Sequence, residues 1–328
     1  MSLSIIMQRI IILLLVLITG LQAKTHAHKG HTLPSPPKVI VTIAPIHSLV
    51  AGVMDGIGSP DLLLDAQQSA HGHALKPSEA AKLNNANVIV WVGSEYETTF
   101  KGSIDAAKAQ HKITLTKTPG INLLPQRTFK DQPEMCCPVD LPIGCDCDHH
   151  KDHHHEISGK DGHLWLAVSN AKALVKEVTK VLSELDQQHA ADYLANSKKV
   201  IEKLNTLNTD LYTEMKSVKG KKYITYHDFT QYFDVNYGTQ CVGAIRIHAD
   251  REPTAADIKR VNEFANHGAV AIFSEPQFET KTLTKISKES GITYAQIDAL
   301  GVGLTPGQDL YFEMMRRLMN DMKKALES

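Results

Sequence analysis

Histidine is the residue whose distribution stands out in this chain. Of 328 residues, 17 are histidine, and five crowd one short segment: His149, His150, His153, His154 and His155. Neutral imidazole is the commonest protein ligand for borderline metals. The clustering therefore points to zinc, copper or nickel, and composition alone does not choose among them.

Three further candidate ligands lie at the ends of predicted strands. His227 and Asp298 directly follow apolar runs at 222–226 and 293–297, and His71 lies in the loop after the run at 61–65. In doubly wound sheets, ligand-binding loops converge outside the carboxyl ends of the strands. We therefore expect these three side chains at the functional ends of their sheets.

His163 is a fourth candidate. It precedes the apolar residues Leu164 and Trp165, just before a helical run from Asn170. By itself such a histidine is either a ligand or a core imidazole bonded to backbone. With His71, His227 and Asp298 it completes a set of three histidines and one carboxylate, which matches the tetrahedral preference of zinc.

The elements that must position these residues follow an alternating pattern. Apolar runs predict buried strands at 38–43, 61–65, 87–92 and 112–115, with helices at 46–54, 77–83 and 97–107. The pattern restarts with strands at 222–226, 241–247, 269–274 and 293–297, and helices at 229–235, 255–266, 280–288 and 309–325. Such alternation predicts parallel sheets flanked by helices. The expected fold class is α/β with two similar lobes, at 38–187 and 218–328.

Residues 188–217 join the two predicted lobes. Apolar side chains recur at helical spacing from Tyr193 through Val200 to Leu211, and neither Pro nor Gly interrupts the run up to Lys219. This predicts one connecting helix of roughly 40 Å, with the metal site in the cleft between the lobes. Two shorter helices broken near 205–208 are the alternative.

The N-terminal residues resemble a secretory signal peptide. Arg9 precedes an apolar run at 10–18, which is too short to span about 30 Å of hydrocarbon. We expect cleavage after Ala23 and a flexible, histidine-containing stretch at 24–37. A retained N-terminal anchor is the alternative.

The segment 125–160 interrupts the α/β pattern. It is rich in Pro, Cys, Asp and His and poor in core residues, which predicts a mobile surface insertion. In an oxidising compartment, Cys136, Cys137, Cys145 and Cys147 would form two disulfides in one of three pairings and leave Cys241 as a buried thiol. Thiolate ligation of a metal is the rival interpretation.

Net charge excludes some partners. Lys and Arg total 35 against 36 Asp and Glu, for a net charge of −1. The chain therefore has no excess of basic residues for binding nucleic acid or anionic lipid.

Six short motifs occur in a fixed order: HGHALKPSE at 71–79, ANVIVWVG at 86–93, HLWL at 163–166, HDF at 227–229 with YF at 232–233, SEPQF at 274–278 and DALG at 298–301. In these motifs the chain resembles the metal-specific substrate-binding proteins of ABC importers, and closely their zinc-uptake members. The resemblance extends from about Val39 to the end, apart from the insertion.

The resemblance implies metal ligands at His71, His163 and His227. Manganese-binding relatives place a glutamate at the third of these positions, so His227 favours zinc. Asp298 matches a carboxylate supplied by many relatives, whereas others use water or a glutamate before the first histidine. That preceding residue is Ala70 here, which removes the glutamate option.

The resemblance also implies a function. We expect a monomeric periplasmic protein that captures Zn²⁺ and delivers it to a membrane permease, with the His-rich segment as an auxiliary trap or, alternatively, a solvated loop. Two other functions stay open. One is a metal buffer or surface protein dominated by its His segments, and the other is a zinc hydrolase with an open coordination position.

Several residues near the motifs are expected to assist. His73 is predicted to support the site without joining it, and Glu275 either to orient a ligand or to cap a turn. His47 is predicted to be structural. An auxiliary site near Arg246 and His248 is less well supported, because the relatives' histidine aligns closer to Ala244.

Overall fold

The computed structural model describes residues 35–127, 129, 159–246, 261, 263–278 and 281–328. The predicted signal peptide at 1–23, most of the N-terminal stretch, the five clustered histidines, the four clustered cysteines and His248 lie outside these ranges. No helix in the described part of the chain is both long and apolar enough to cross a membrane.

The first sheet is built early in the chain. Its strands are β1 (Val39–Val41), β2 (Asp61–Leu62), β3 (Val88–Trp91) and β4 (His111–Thr114), and the helices between them are α1 (Ala44–Val53), α2 (Pro77–Asn84) and α3 (Lys101–Ala106). All neighbouring strands are parallel, in the order β2-β1-β3-β4. Every residue of β1 and β3 is buried, which explains why these strands read as unbroken apolar runs.

The second sheet repeats this arrangement. Its strands are β5 (Lys222–His227), β6 (Gln240–Arg246), β7 (Ala269–Ser274) and β8 (Thr293–Gln296), all parallel in the order β6-β5-β7-β8. The helices here are α6 (Gln231–Tyr237), α7 (Lys281–Ser290) and α8 (Leu310–Glu327). Of the helix predicted at 255–266, only residues 261 and 263–266 are described, as helix.

Two long helices follow the first sheet, and the second of them leads into the second sheet. After α4 (Val168–Leu185), a single 25-residue helix, α5 (Ala190–Glu214), leads to β5. Its buried face includes Tyr193, Val200 and Leu211, and it packs against α1, α4 and α8. The α/β fold class with one long connecting helix is thus confirmed, and the alternative of two shorter helices is wrong because no residue between 190 and 214 breaks the helix.

Both sheets share the strand order that creates a crevice. In the first sheet, β2 lies on one side of β1 and β3 lies on the other, so the strand order reverses between β1 and β3. The same reversal occurs between β5 and β7. Ligands of open α/β sheets bind at such reversal points, outside the carboxyl ends of the strands. The loops after β2 and β3, together with the ends of β5 and β7, are therefore the places where a site is expected.

Candidate metal centre

Three histidines from distant parts of the chain converge. His71 lies in the loop after β2, His163 precedes a short 3₁₀ segment (Leu164–Leu166), and His227 is the last residue of β5. One potential ligand atom from each lies within 4.8 Å of the other two. His163 and His227 are 5% and 3% exposed, so the cluster is enclosed by protein on most sides.

The spacing of two ring nitrogens fits a tetrahedral ion. The Nε2 atoms of His71 and His163 are 3.2 Å apart. Zinc binds imidazole nitrogen at about 2.0–2.1 Å with tetrahedral angles, which separates two such nitrogens by about 3.3 Å. Both rings could therefore bind one ion with little movement.

His163 is oriented by Asp161. The Asp161 Oδ1 accepts hydrogen bonds from the His163 backbone N–H at 2.9 Å and from ring Nδ1 at 2.8 Å. A proton held on Nδ1 leaves Nε2 with a free lone pair facing His71. Burial, and next the charge on His227, lower the pKa of His163 well below its usual value, which keeps the ring neutral and able to bind a metal.

Glu275 holds the corresponding position behind His227. It directly follows β7, and its Oε2 lies 3.3 Å from His227 Nδ1. Burial opposes protonation of His227, but the nearby carboxylates, Glu275 first among them, together outweigh it and raise the pKa of the ring. Glu275 is thus placed to orient His227, and Phe278 N–H also bonds to its backbone carbonyl.

His71 depends on its loop for position. The Thr98 hydroxyl donates to the His71 carbonyl at 3.4 Å, and the Thr99 hydroxyl donates to the His73 carbonyl at 2.6 Å. The His73 ring does not join the cluster, because its Nε2 lies 2.9 Å from Glu79. His73 thus pairs with Glu79 and lies outside the group of three histidines.

Aromatic rings surround the histidines. Tyr96 lies 4.3 Å from His71 and 5.2 Å from His163 between ring centroids. Trp165 and Phe229 complete this wall at 5.5 Å from His163 and 6.3 Å from His227. An apolar wall limits water and strengthens electrostatic interactions within the site. Sequence reasoning did not single out Tyr96.

Asp298 does not join the histidine cluster. Its Oδ1 accepts the N–H groups of Leu300 and Gly301 at 2.8 and 3.0 Å, and its Oδ2 accepts that of Val302 at 2.5 Å. Gly301 has a φ of +84°, a conformation that favours glycine. The DALG motif thus forms a turn, and Asp298 lies outside the group formed by His71, His163 and His227.

The other candidates are placed as follows. The His47 Nε2 lies 3.0 Å from the Pro60 carbonyl, so this histidine ties α1 to the chain before β2. Cys241 is a buried free thiol in β6. His149, His150, His153, His154, His155, Cys136, Cys137, Cys145 and Cys147 lie outside the described residues.

Two α/β units joined by one long helix, with a histidine cluster where the carboxyl ends of both sheets meet, define the architecture of metal-specific substrate-binding proteins. Residues 39–325 match the family model described as zinc-uptake complex component A, periplasmic. The chain belongs to this family.

Individual relatives agree with that assignment. The chain is 33% identical to the high-affinity zinc uptake system protein ZnuA of Brucella abortus over 304 residues, covering 88% of this chain and 91% of the relative. It is 27% identical to ZnuA of Yersinia pestis over 296 residues, with the same shares covered. Its fold matches a crystal structure of ZnuA with a TM-score of 0.70 at 22% identity, covering 89% of this chain and 99% of the other.

Proposed function

We propose that this protein captures Zn²⁺ outside the cytoplasm and delivers it to the membrane permease of an ABC importer. The observation that carries the proposal is the convergence of His71, His163 and His227, whose potential ligand atoms lie within 4.8 Å of one another. A site made of imidazoles favours zinc over manganese, which prefers oxygen ligands. Membership of the zinc-uptake family supports the same cargo.

The first coordination shell is proposed to be three imidazoles and one water molecule. Asp298 is assigned to the turn after β8, because its carboxylate already accepts backbone N–H groups from three residues. An ion with an exchangeable fourth position can pass to a partner without every protein bond breaking at once. This suits a carrier that must release its cargo.

A zinc hydrolase is the alternative function. Catalytic zinc is also typically bound by three protein ligands and one water molecule. Asp161 and Glu275, the carboxylates paired with His163 and His227, both lie against the Nδ1 atoms of these rings. Neither is placed as a free general base for a bound water. We therefore infer that the protein is a carrier and not an enzyme, and an esterase and phosphatase screen of the zinc-loaded protein tests that inference.

Other parts of the chain also have proposed roles. Residues 1–23 act as a cleaved signal peptide, residues 38–187 and 218–328 act as the two lobes, and the mature protein works as a monomer. The segment with His149, His150, His153, His154 and His155 acts as a metal trap that raises the local zinc concentration. Its polar composition predicts a chain that loses entropy on binding, so its bonds to metal are expected to be weaker than those of the three-histidine site.

Zinc titration followed by native mass spectrometry tests the proposal. We expect one tightly bound equivalent in the mature protein, and its loss in His227→Ala. His189→Ala is the matched control, because this histidine pairs with Asp186 at 2.7 Å and lies outside the cluster. Tight binding retained in His227→Ala would overturn the ligand assignment.

A deletion separates the cluster from the His-rich segment. A variant lacking residues 136–155 is expected to keep the tight equivalent and to lose only weaker sites. If the deletion abolished all tight binding, the protein would instead be a buffer dominated by its His-rich segment.

A further inference from the structure

The two ends of the insertion form a short neck, defined here as residues 124–127 and 159–161. Pro125 and Lys160 pair as an isolated antiparallel bridge. The Gln126 N–H donates to the Gly159 carbonyl at 3.0 Å, and the Asp161 N–H donates to the Leu124 carbonyl at 3.0 Å. The neck therefore has a defined structure, and its last residue is Asp161, the residue that orients His163.

The neck is fixed to the second sheet's side of the molecule through α6. The Tyr232 hydroxyl accepts the Leu124 N–H at 3.0 Å and donates to the Asp161 carbonyl at 3.0 Å. The Gln231 side chain donates to the Pro125 carbonyl at 3.1 Å. A single hydroxyl thus joins both strands of the neck to a helix that begins four residues after His227.

Arg127 adds a buried ionic contact to the same junction. Its Nε and one terminal nitrogen bond to the Asp228 carboxylate at 2.6–2.9 Å, and the other terminal nitrogen bonds to Asp234 at 2.8 Å. A further bond of 3.1 Å reaches the Thr230 hydroxyl. The three charged side chains are only 16%, 8% and 7% exposed, so solvent screens this network little.

The position of these partners relates Arg127 to the metal cluster. Asp228 directly follows His227, while Asp161 at the other side of the neck lies two residues before His163. The neck is therefore connected to two of the candidate ligands: to His163 along the chain through Asp161, and to His227 through the bond between Arg127 and Asp228. The bonds between Arg127 and Asp228 thus link the neck, which ends two residues before His163, to the residue that follows His227.

We propose that Arg127 is a positioning residue of the metal site, which holds the neck against the end of β5 and so sets the spacing of His163 and His227 before zinc arrives. This inference rests on the proposed function. Arg127 bonds to Asp228, Asp234 and Thr230, and it acts on the site through Asp228. The insertion then has two separate parts, a His-rich segment and a neck that maintains the cluster.

The charges of Arg127, Asp228 and Asp234 indicate that these residues position the site rather than only fill space. A buried ion pair stabilises a fold little, since its desolvation offsets its attraction, and apolar residues of similar size often serve as well. An arginine differs from an apolar residue because its planar guanidinium group bonds two carboxylates in a fixed geometry. Such geometry matters where the spacing of neighbouring groups has to be kept.

The test compares Arg127→Met, Arg127→Lys and Asp228→Asn in the full chain. The zinc dissociation rate is measured with an excess of a chromogenic chelator, and the melting temperature of the metal-free protein is measured in parallel. We expect Arg127→Met and Asp228→Asn to release zinc about tenfold faster or more, and Arg127→Lys to fall between Arg127→Met and the wild type. Lys203→Met is the control, because it removes an exposed ion pair with Asp309 of 3.1 Å, and its release rate should match the wild type.

The absorption spectrum of the cobalt-loaded protein distinguishes a variant with a displaced ligand from a variant that is only less stable. A displaced His227 changes the ligand field of tetrahedral Co²⁺, whereas lower global stability does not. If folded Arg127 variants kept the wild-type release rate and spectrum, the inference would be wrong. Should Arg127→Met fail to fold, Arg127→Lys and Asp228→Asn decide by the same criteria. A wild-type protein without tight zinc binding would contradict the proposed function itself.

Discussion

The Asp161 Oδ1 atom accepts two hydrogen bonds from the same residue, His163, one from its backbone N–H and one from its ring Nδ1. The pair is fully enclosed, with both side chains 6% exposed. Burial raises the pKa of Asp161 to about 6, which still leaves it mainly ionised at neutral pH. The carboxylate therefore fixes the orientation of His163 and raises the basicity of its Nε2.

Replacing Asp161 with alanine should weaken zinc binding by about 10- to 100-fold, the usual cost of removing a partner behind a metal-bound histidine. Competition with a chelator of known affinity measures the effect. Asp186→Ala is the matched control, since Asp186 bonds to the His189 ring at 2.7 Å away from the cluster. Equal affinities for Asp161→Ala and the wild type would mean that Asp161 does not orient His163 for metal binding.

The pH dependence of zinc binding should be set by His227. Its pKa is raised by the Glu275 carboxylate even though burial opposes this shift. Protons compete with zinc for the ring, so the affinity should fall as the pH drops below the raised pKa. In Glu275→Gln the raising charge is removed while burial remains, and the fall in affinity should begin at a lower pH.

Dissociation constants measured from about pH 5 to about pH 8 test this prediction. The neutral amide of Glu275→Gln accepts a weaker hydrogen bond than the carboxylate does, which should also weaken binding at the upper end of the range. An onset at the same pH in both proteins would show that another group controls the response.

Glu97 should make the stability of the fold depend on pH. Its Oε2 accepts the N–H groups of Val92 and Gly93 at 2.8 and 3.1 Å, and burial raises its pKa from 4.5 to about 7. The folded state thus binds the proton more tightly than the unfolded state does. The resulting stabilisation is fully present below about pH 4.5 and is lost as the pH rises through about 7.

In Glu97→Gln this loss should disappear. Relative to the variant, the free energy of unfolding of the wild type should fall by on the order of 3 kcal/mol between those two pH values. Urea unfolding at about pH 5 and about pH 8 measures the difference, with the exposed Glu202→Gln on α5 as the control. Parallel pH profiles for wild type and Glu97→Gln would contradict the assignment.

Two glycine substitutions test the packing of the connecting helix. A Cβ atom at Gly52 of α1 would lie 2.8 Å from a Val200 methyl group on α5, whereas one at Gly102 of α3 would meet nothing within 4 Å. Gly52→Ala should lower the free energy of unfolding by about 1–3 kcal/mol. Gly102→Ala should raise it by up to about 1 kcal/mol. A Gly52→Ala melting temperature at or above that of the wild type would show that α1 and α5 are not closely packed.

The fold class could be predicted because its signals are local. Parallel strands buried on both faces appear as apolar runs, as in Val39–Val41 and Ala269–Ser274. The helix Ala190–Glu214 keeps one buried face over its whole length. The approach of His71, His163 and His227 follows from the same reasoning, since each lies beside an element whose direction the pattern indicates.

The remaining features depend on contacts that no local pattern encodes. Arg127 stands at the start of a polar segment and would be expected in solvent, but its partners Asp228 and Asp234 lie 101 and 107 positions further along the chain. Asp298 follows a strand as a ligand would, yet a turn with Gly301 directs its carboxylate to backbone N–H groups. His73 has the spacing of a partner for His71, but Glu79 bonds to its ring.

A crystal structure of the zinc-loaded mature protein, with anomalous diffraction recorded at the zinc absorption edge, tests the central claim most directly. We expect one strong anomalous peak at about 2.0–2.1 Å from a ring nitrogen of each of His71, His163 and His227, with no oxygen of Asp298 at bonding distance. A strong peak at any other place in the protein, with these three histidines left without metal, would contradict it.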